Sequence, residues 1–306
     1  MNTNDVLMEK TPHVSIVVVS YNAADTIKET LDSIYHQSYH NIELVISDDC
    51  SKDNTIDVCK DWISTHQERF VRVVLLTAEK NQGIVRNFNR ACRASLGDWI
   101  KIIAADDKLF PNCIEDYVNY CKQNPEAELV TSIQKVYDNT FAEENCVDSN
   151  YVWKDLSIFD KDAREQLTLM AYRVFVSAPT IFIKKSLFIR LGGFDEQFSY
   201  EDHPFYIKAL ESGHKIYFLN KVTVGYRVHD SIFNSNQKLF NYNFIKQAKK
   251  FRWERCFQYY NWRQKLAVRL YFFLMHIMNS YGLNKKTPFI SKLYKKVVGI
   301  IFRFGD

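Results

Sequence analysis

The sequence predicts an α/β fold with a mostly parallel central sheet flanked by helices, followed by a C-terminal helical extension. Val14–Ser20 is a continuous, mainly β-branched run, typical of a strand buried on both faces of a parallel sheet. Strand patterns then alternate with helical patterns through residue 110. Because carboxyl ends of parallel strands meet at one edge, residues that follow these strands should meet there too, where open α/β sheets bind their ligands.

The secondary-structure elements follow from the spacing of hydrophobic residues and from the Gly and Pro residues that interrupt it. A helix is predicted from Asp25 to Gln37, because Ile27, Leu31 and Ile34 recur at helical spacing. The next elements are a strand at Ile42–Ser47, a helix at Asn54–Glu68, a strand at Val71–Leu76, a helix at Gly83–Ser95, a strand at Asp98–Ala104 and a helix from near Pro111. Later predictions are strands at Ile181–Ile183 and from Val222, a helix at Pro204–Ser212, and a mobile loop over the cleft at Asp138–Asp155.

Three strand ends carry polar side chains, namely Tyr21-Asn22, Asp48-Asp49 and Asp106-Asp107. Adjacent carboxylates at a strand end suit a hard divalent cation, although such a pair can also cap the helix that follows. The chain has neither a G-x-G-x-x-G motif after the first strand nor a P-loop. A carboxylate-bound metal is therefore predicted to hold phosphate in place of a glycine nest.

Four strings occur in order across residues 12–235: SIVVVSYNAADTIKETLDSIYHQSYHNIELVISDDCSKDNT, NQGIVRNFNRACRASLGDWIKIIAADD, LGGFDEQFSYEDHPFYIKAL and YRVHDSI. Together they resemble the family 2 inverting glycosyltransferases with the GT-A fold. The resemblance implies a UDP-sugar donor, a Mn²⁺ or Mg²⁺ ion and transfer to a hydroxyl of a saccharide acceptor. It further implies a lipid-linked acceptor in bacterial surface-polysaccharide assembly.

The resemblance also implies donor-binding residues. Tyr21, with Asn22 beside it, would contact the face of the donor's base, and Asp49 would accept a hydrogen bond from the uracil imide N–H. Arg86 matches a basic position near the donor. The residue types leave simpler roles open: a rim aromatic for Tyr21, an Asx turn for one of Asp48 and Asp49, and an exposed helical charge for Arg86.

By the same resemblance, Asp107 is a direct metal ligand and Asp106 contacts the ribose or the metal. His229 would complete the metal site or contact the diphosphate. The chain departs from the commonest family pattern at Ala104, where another Asp usually stands. A hydrogen-bonded surface histidine, and a structural ion pair for the neighbouring Arg227, are the alternatives.

A second acidic pair, Glu201-Asp202, follows the turn Gly192-Gly193-Phe194-Asp195. The resemblance assigns Asp202 as the catalytic base and Glu201 as a neighbour that orients it or contacts the acceptor. Inversion at an anomeric carbon needs one carboxylate to take the acceptor's proton. Alternatively, the pair only favours a helix N-terminus through the helix dipole. Ala178-Pro179-Thr180 is predicted to line the acceptor side.

The C-terminal region is strongly basic, since residues 241–306 contain 14 Lys or Arg against Glu254 and Asp306. Leu266–Met278 is too short to cross a bilayer, which needs about 20 residues. A basic amphipathic helix follows, and its apolar face holds Ile290, Leu293, Tyr294, Val297, Val298 and Ile301. These features predict attachment to an anionic membrane surface, with packing on the catalytic domain or a homodimer contact as alternatives. Nucleic-acid binding is not expected, because no RNA or DNA module is recognisable.

The predicted organisation is a tail at 1–11, a catalytic domain at 12–235 and an extension at 236–306. Within the catalytic domain, residues 12–110 would bind the nucleotide sugar and 111–235 the acceptor. Seven cysteines without C-x-x-C suggest reduced thiols, and the first residues lack an apolar leader core. The expected location is therefore cytoplasmic, peripheral at the inner face of the cell membrane.

Two other functions compete with this prediction. A metal-dependent sugar nucleotidyltransferase would release pyrophosphate, but it would be expected to carry a glycine-rich loop after the first strand. A non-catalytic carbohydrate-binding or scaffold protein would tolerate the loss of Asp202.

Overall fold

The computed structural model describes residues 11–151, 154–228 and 237–306. The strands are β1 (Val14–Ser20), β2 (Ile42–Asp48), β3 (Arg72–Thr77), β4 (Trp99–Ala104), β5 (Lys108–Leu109), β6 (Leu129–Asp138), β7 (Cys146–Tyr151), β8 (Phe182–Lys184) and β9 (Tyr217–Val228). Within the described residues they form one sheet in the order β3-β2-β1-β4-β8-β6-β9-β5, and β7 pairs with β6. Helices flank the sheet, as the sequence predicts.

The first four strands form the parallel part of the sheet. β1 pairs with β2 and β4, and β2 pairs with β3, all in parallel. Every residue of β1 and β2 is buried, as their continuous apolar character predicts. Ser20 lies opposite Asp48, and Val19 lies opposite Ala104. The structure therefore confirms that these three strand ends meet at one edge.

The rest of the sheet is mixed. β8 runs antiparallel to both β4 and β6, whereas β6 and β9 are parallel. The expectation of a structureless loop at Asp138–Asp155 is wrong in part, because β7 lies within it and pairs antiparallel with β6. The residues of β7 are mostly polar, so backbone pairing rather than an apolar face defines this strand, and the sequence shows no periodicity there.

The helices are α1 (Ile27–Tyr35), α2 (Thr55–His66), α3 (Ile84–Ala94), α4 (Cys113–Gln123), α5 (Ala163–Tyr172), α6 (Lys185–Arg190), α7 (Asp202–Glu211), α8 (Tyr242–Phe251), α9 (Trp262–Ser280) and α10 (Pro288–Gly305). The first four agree with the predicted helices to within about two residues. α7 begins at Asp202, two residues before the predicted Pro204. β9 likewise begins at Tyr217, ahead of the predicted Val222.

The three C-terminal helices pack on the catalytic part of the chain. The hydroxyl of Tyr172 donates to the carbonyl of Phe302 at 3.2 Å, and Arg173 pairs with Asp306 at 2.5 Å. The main apolar cluster runs without interruption from the sheet into α8 and α9. The boundary between residues 235 and 236 stays a prediction.

The orientation of α10 differs from the expectation. Ile290, Tyr294, Val298 and Ile301 pack against the protein core, and of the predicted apolar face Leu293 is the exposed member. The face assigned to a membrane surface therefore mainly packs inward, against α9 and the apolar cluster that α9 shares with the catalytic part of the chain. Across the described part of the chain, every helix is too short or too polar to span a bilayer.

Candidate active site

The loops after β1 and β2 are tied together by Asn22. Its backbone N–H donates to the hydroxyl of Ser51 at 2.8 Å, and its side-chain oxygen accepts from the N–H of Lys52 at 2.7 Å. Asn22 has φ of 50°, a left-handed conformation that Asn adopts more readily than most residues. The ring of Tyr21 is 45% exposed at the end of β1. Asn22 thus fixes the loop, and Tyr21 presents an open aromatic face at the sheet edge.

The two carboxylates that follow β2 have different partners. Asp48 accepts from the hydroxyl of Ser20 at 2.9 Å and from the N–H of Ser51, three residues on, at 2.8 Å, and this local side-chain-to-backbone bond fixes the turn after β2. Asp49 accepts from the N–H of Gly83 at 2.7 Å and of Gln82 at 3.0 Å. Asp48 therefore has the turn role, while Asp49 is aimed at the loop that opens α3.

A shallow groove of about 620 Å³ lies beside Asp49, along the exposed side of α3. Arg86 lines it and pairs with Glu196 at 3.3 Å. Arg90 also lines it, donating to the carbonyl of Asp48 at 2.8 Å and to the hydroxyl of Ser47 at 2.9 Å. The structure thus places Arg86 and Asp49 on the same side of the molecule, and it gives Arg86 a carboxylate partner that the sequence did not suggest.

Asp106 and Asp107 follow β4 and differ in burial. Asp107 is buried, and its carboxylate accepts from the N–H of Arg227 at 2.9 Å, whereas Asp106 is partly exposed. Burial, and next the adjacent charge of Asp106, raise the pKa of Asp107 well above its usual range. A bound cation would relieve that repulsion and favour the charged carboxylates.

Arg227 organises the surroundings of this acidic pair. Its Nε donates to the carbonyl of Asp106 at 2.7 Å, and its Nη1 donates to the carbonyl of Asn139 at 2.6 Å. Its Nη2 pairs closely with Glu29 on α1, and its guanidinium lies 4.2 Å from the ring centre of Phe141. Arg227 therefore has the structural ion pair considered from the sequence, and it joins β9, α1 and the acidic loop.

The donor set around Asp106 and Asp107 fits a divalent cation that also binds substrate phosphate. Among residues 11–151, 154–228 and 237–306, no three His, Cys, Asp or Glu side chains gather closely enough to hold a metal. Mg²⁺ is commonly held by one or two carboxylates plus substrate phosphates, so two carboxylates suffice chemically. His229, the third predicted ligand, lies outside the described residues.

The turn that leads to Glu201 and Asp202 is fastened to α3 by Asn89. The side-chain oxygen of Asn89 accepts from the N–H of Phe194 at 2.9 Å, and its NH₂ donates to the carbonyl of Phe194 and to Glu196, both at 2.9 Å. Gly193 has φ of 78°, and a Cβ there would lie 2.7 Å from the Asn89 oxygen. This close approach joins the predicted acceptor part to the predicted donor part.

The second acidic pair lies at the start of α7. Glu201 is buried, and burial together with the charge of Asp202 raises its pKa to about 8. Asp202 is the first residue of α7 and accepts from the N–H of His203 at 2.6 Å; burial raises its pKa too. The two carboxyls of this pair therefore hold a proton more tightly than isolated carboxyls do, because burial disfavours their charged forms.

A buried polar network holds the Ala178–Thr180 turn against the sheet. Lys101 of β4 donates to the carbonyl of Pro179 and, at 3.0 Å, to that of Ile102. The hydroxyl of Tyr117 donates to the carbonyl of Thr180, whose hydroxyl is 2.6 Å from that of Thr131. Burial lowers the pKa of Lys101 to about 8. Sequence analysis missed Lys101, Tyr117 and Asn89, although a lysine within an apolar strand run was a visible anomaly.

A parallel sheet edge with acidic side chains after β2 and β4, backed by a mixed extension, is the architecture predicted for the GT-A fold. The Glycosyl transferase family 2 model matches residues 15–188, and the chain belongs to this family.

Curated relatives are named as glycosyltransferases. An uncharacterized glycosyltransferase of Haemophilus influenzae is 29% identical over 199 residues, which are 65% of this chain and 62% of that protein. The Escherichia coli UDP-Glc:alpha-D-GlcNAc-diphosphoundecaprenol beta-1,3-glucosyltransferase WfaP is 25% identical over 227 residues, 73% of this chain and 80% of that protein. The match spans less than two thirds of the Haemophilus influenzae relative.

Solved structures share the fold. Staphylococcus aureus TarS in complex with UDP-GlcNAc superposes with a TM-score of 0.60 at 17% identity, over 96% of this chain and 81% of that one. The mannosyltransferase PcManGT from Pyrobaculum calidifontis, in complex with GDP-Man and Mn²⁺, gives a TM-score of 0.55 at 19% identity, over 82% and 64%. At these identities the likeness demonstrates the fold.

Proposed function

We propose that the protein is a metal-dependent inverting glycosyltransferase that transfers a sugar from a UDP-sugar to a hydroxyl of a lipid-linked saccharide in bacterial surface-polysaccharide assembly. The observation that supports this most is the common edge at which β1, β2 and β4 end, next to Tyr21, Asp49 and Asp106-Asp107. Family membership agrees, as do the glucosyltransferase activity for which WfaP is named and the complex of TarS with UDP-GlcNAc.

The donor would bind along this edge. The exposed ring of Tyr21 offers a stacking face for uracil, and Asp49 offers carboxylate oxygens to the imide N–H. Asp49 already accepts two backbone N–H groups, but a carboxylate has about four lone-pair sites and can accept another. Arg86 would exchange its partner Glu196 for the donor's diphosphate.

Asp106 and Asp107 would hold Mn²⁺ or Mg²⁺, which when bound neutralises the charge that develops on the departing UDP. Arg227 keeps the two carboxylates in place through the Asp106 carbonyl and the Asp107 carboxylate. The proposed metal site thus rests on two side chains whose backbone is fixed from β9.

Asp202 would act as the general base. It takes the proton of the acceptor hydroxyl while the acceptor oxygen bonds to the anomeric carbon on the face opposite UDP; the bond from that carbon to the UDP oxygen breaks, and its electron pair leaves with UDP. Glu201, protonated near neutral pH, would donate a hydrogen bond to the acceptor and leave the charge on Asp202.

The test is Asp202→Asn, with exposed Asp61→Asn on α2 as the matched control. Loss of a general base lowers rates by about 10²–10⁴-fold, so transfer by Asp202→Asn should fall by that factor while UDP binding persists. The control should transfer normally. Undiminished transfer by Asp202→Asn would refute the assigned base. Because the donor sugar is unknown, a panel of UDP-sugars would first be screened for slow metal-dependent hydrolysis.

The same proposal places the enzyme at the inner face of the cytoplasmic membrane, attached through its C-terminal helices. The outer side of α9 carries four exposed apolar residues at helical spacing, Trp262, Leu266, Leu270 and Phe273. The neighbouring helix α10, which packs on α9, carries the exposed Lys292, Lys295 and Lys296. An apolar stripe beside basic side chains suits an interface with anionic lipid.

A further inference from the structure

A cleft of about 410 Å³ lies between α8, α9 and the π-helical turn Arg252–Cys256 that joins onto α8. It combines cationic or titratable side chains with apolar ones. Its principal lining residues are Lys249, Trp253, Arg269, Leu270, Phe273 and His276. The cleft belongs to the C-terminal extension, and the proposed glycosyl transfer makes no use of it.

The two cations of the cleft are held by aromatic rings rather than by carboxylates. The ammonium of Lys249 lies 5.5 Å from the ring centre of Trp253, and the guanidinium of Arg269 lies 5.3 Å from that of Phe257. Within the described ranges neither Lys249 nor Arg269 forms an ion pair with a carboxylate. Both charges are therefore available to an anionic ligand.

The mouth of the cleft is apolar and open. Leu270 is 43% exposed and Phe273 is 61% exposed, and both continue the exposed stripe of α9 that begins at Trp262. A ligand that satisfied the whole surface would thus combine an anionic head with an apolar tail. A free phosphate would leave the apolar mouth in water.

We propose that this cleft binds the phosphate of an anionic membrane lipid between Lys249 and Arg269, with the lipid chains against Leu270 and Phe273. This inference rests on the membrane attachment proposed above, and it names the site and the lipid chemistry.

The charge distribution favours a lipid over a second copy of the chain. Residues 241–306 hold 14 Lys or Arg and two acidic residues, one of which, Asp306, is already paired with Arg173. A symmetric dimer through this face would bring like charges together.

The experiment measures partition of the full-length chain between buffer and two kinds of vesicle, phosphatidylcholine alone or with phosphatidylglycerol. The cleft variant is Lys249→Gln/Arg269→Gln. The matched control is Lys292→Gln/Lys295→Gln, which removes the same charge from exposed positions of α10. Both double variants lose general attraction to an anionic surface, about 1 kcal/mol per cation or roughly 30-fold together. The proposal predicts a further loss of about tenfold or more for the cleft variant. Equal losses would show diffuse attraction and overturn the proposal.

Two further measurements distinguish a bound lipid from a free phosphate and from a second copy of the chain. Soluble glycerol phosphate should compete with the vesicles only weakly; competition that saturates the cleft at the affinity of the lipid would identify a free phosphate site and overturn the proposal. Phe273→Ser should weaken vesicle binding of a monomeric protein. A dimer in sedimentation that Phe273→Ser dissociates, with vesicle binding unchanged, would assign the face to a second copy instead.

Donor hydrolysis without vesicles provides the independent readout. The cleft variant should hydrolyse UDP-sugar at the parental rate, because the cleft is not in the proposed catalytic site. Failure of lipid binding with hydrolysis intact would therefore refute this inference alone. Absence of hydrolysis in the parental protein would refute the proposed function and leave the vesicle measurement meaningful.

Discussion

Asn89 provides the sharpest test of how the two parts of the candidate site are joined. The perturbation is Asn89→Ala on α3. It removes the partner of both backbone polar groups of Phe194, a residue that is 2% exposed. A buried backbone group left without a partner costs about 1–3 kcal/mol, so the two together should lower the free energy of unfolding by about 2–6 kcal/mol. Most of this range lies below the roughly 5–15 kcal/mol by which typical domains are stable, so the protein should still fold.

The consequence for activity follows from the same contacts. The Gly193 turn carries the chain toward Glu201 and Asp202, so its release should displace the proposed base from the donor. We expect transfer by Asn89→Ala to fall further than UDP binding does. Asn89→Asp is a useful second variant, since it keeps an acceptor for the Phe194 N–H but places a carboxylate against Glu196.

Urea unfolding, monitored by circular dichroism, measures the free energy of unfolding. A transfer assay at saturating donor measures the rate of transfer. Asn124→Ala serves as the control, because its amide donates to the carbonyl of Tyr120, one turn earlier in α4 and outside the site. If the free energy of unfolding of Asn89→Ala lay within about 0.5 kcal/mol of the parental value, the hydrogen bonds between Asn89 and Phe194 would not stabilise the fold and the prediction would be wrong.

Three further predictions concern the acidic pairs. Asp107→Ala should abolish the enhancement of UDP binding by Mn²⁺ in calorimetry, and an unchanged enhancement would remove Asp107 from the metal site. Glu201→Gln should become progressively more stable relative to the parent as the pH rises from 4.5 to about 8, because the folded carboxyl holds a proton that the unfolded one releases; a stability difference that does not vary with pH across that window would contradict the raised pKa. Arg227→Lys should weaken Mn²⁺-dependent UDP binding, because a lysine cannot reach Asp106, Asn139 and Glu29 together; parental binding would mean that the carboxylates need no such support.

The strands and helices of the donor part could be predicted because the spacing of apolar residues within each element is enough to locate it. β1 and β2 are apolar throughout, and Ile27, Leu31 and Ile34 of α1 mark one helical face, so periodicity alone locates these elements. The parallel order of the strands then places their polar ends together. The prediction that these ends share an edge is confirmed by the register of β1 with its two neighbours.

The later part was harder because its contacts are long-range. β7 is a polar strand defined by its pairing with β6. Neither its composition nor the spacing of its apolar residues predicts a strand. The outward or inward direction of the apolar face of α10 depends on whether a core lies nearby, which a helical pattern cannot specify. Residues that connect distant segments, such as Asn89 with Phe194 and Arg227 with Glu29, are ordinary polar residues in the sequence. Their roles exist only in three dimensions.

The central claim is that separate acidic pairs serve one reaction centre, and an experimental structure with UDP and Mn²⁺ tests it most directly. We predict uracil against Tyr21 and Asp49, the ion between the diphosphate and the Asp106-Asp107 pair, and the carboxylate of Asp202 facing the space beyond the diphosphate where the sugar would lie. UDP bound away from the carboxyl ends of β1, β2 and β4, or Asp202 directed away from the nucleotide, would contradict the account.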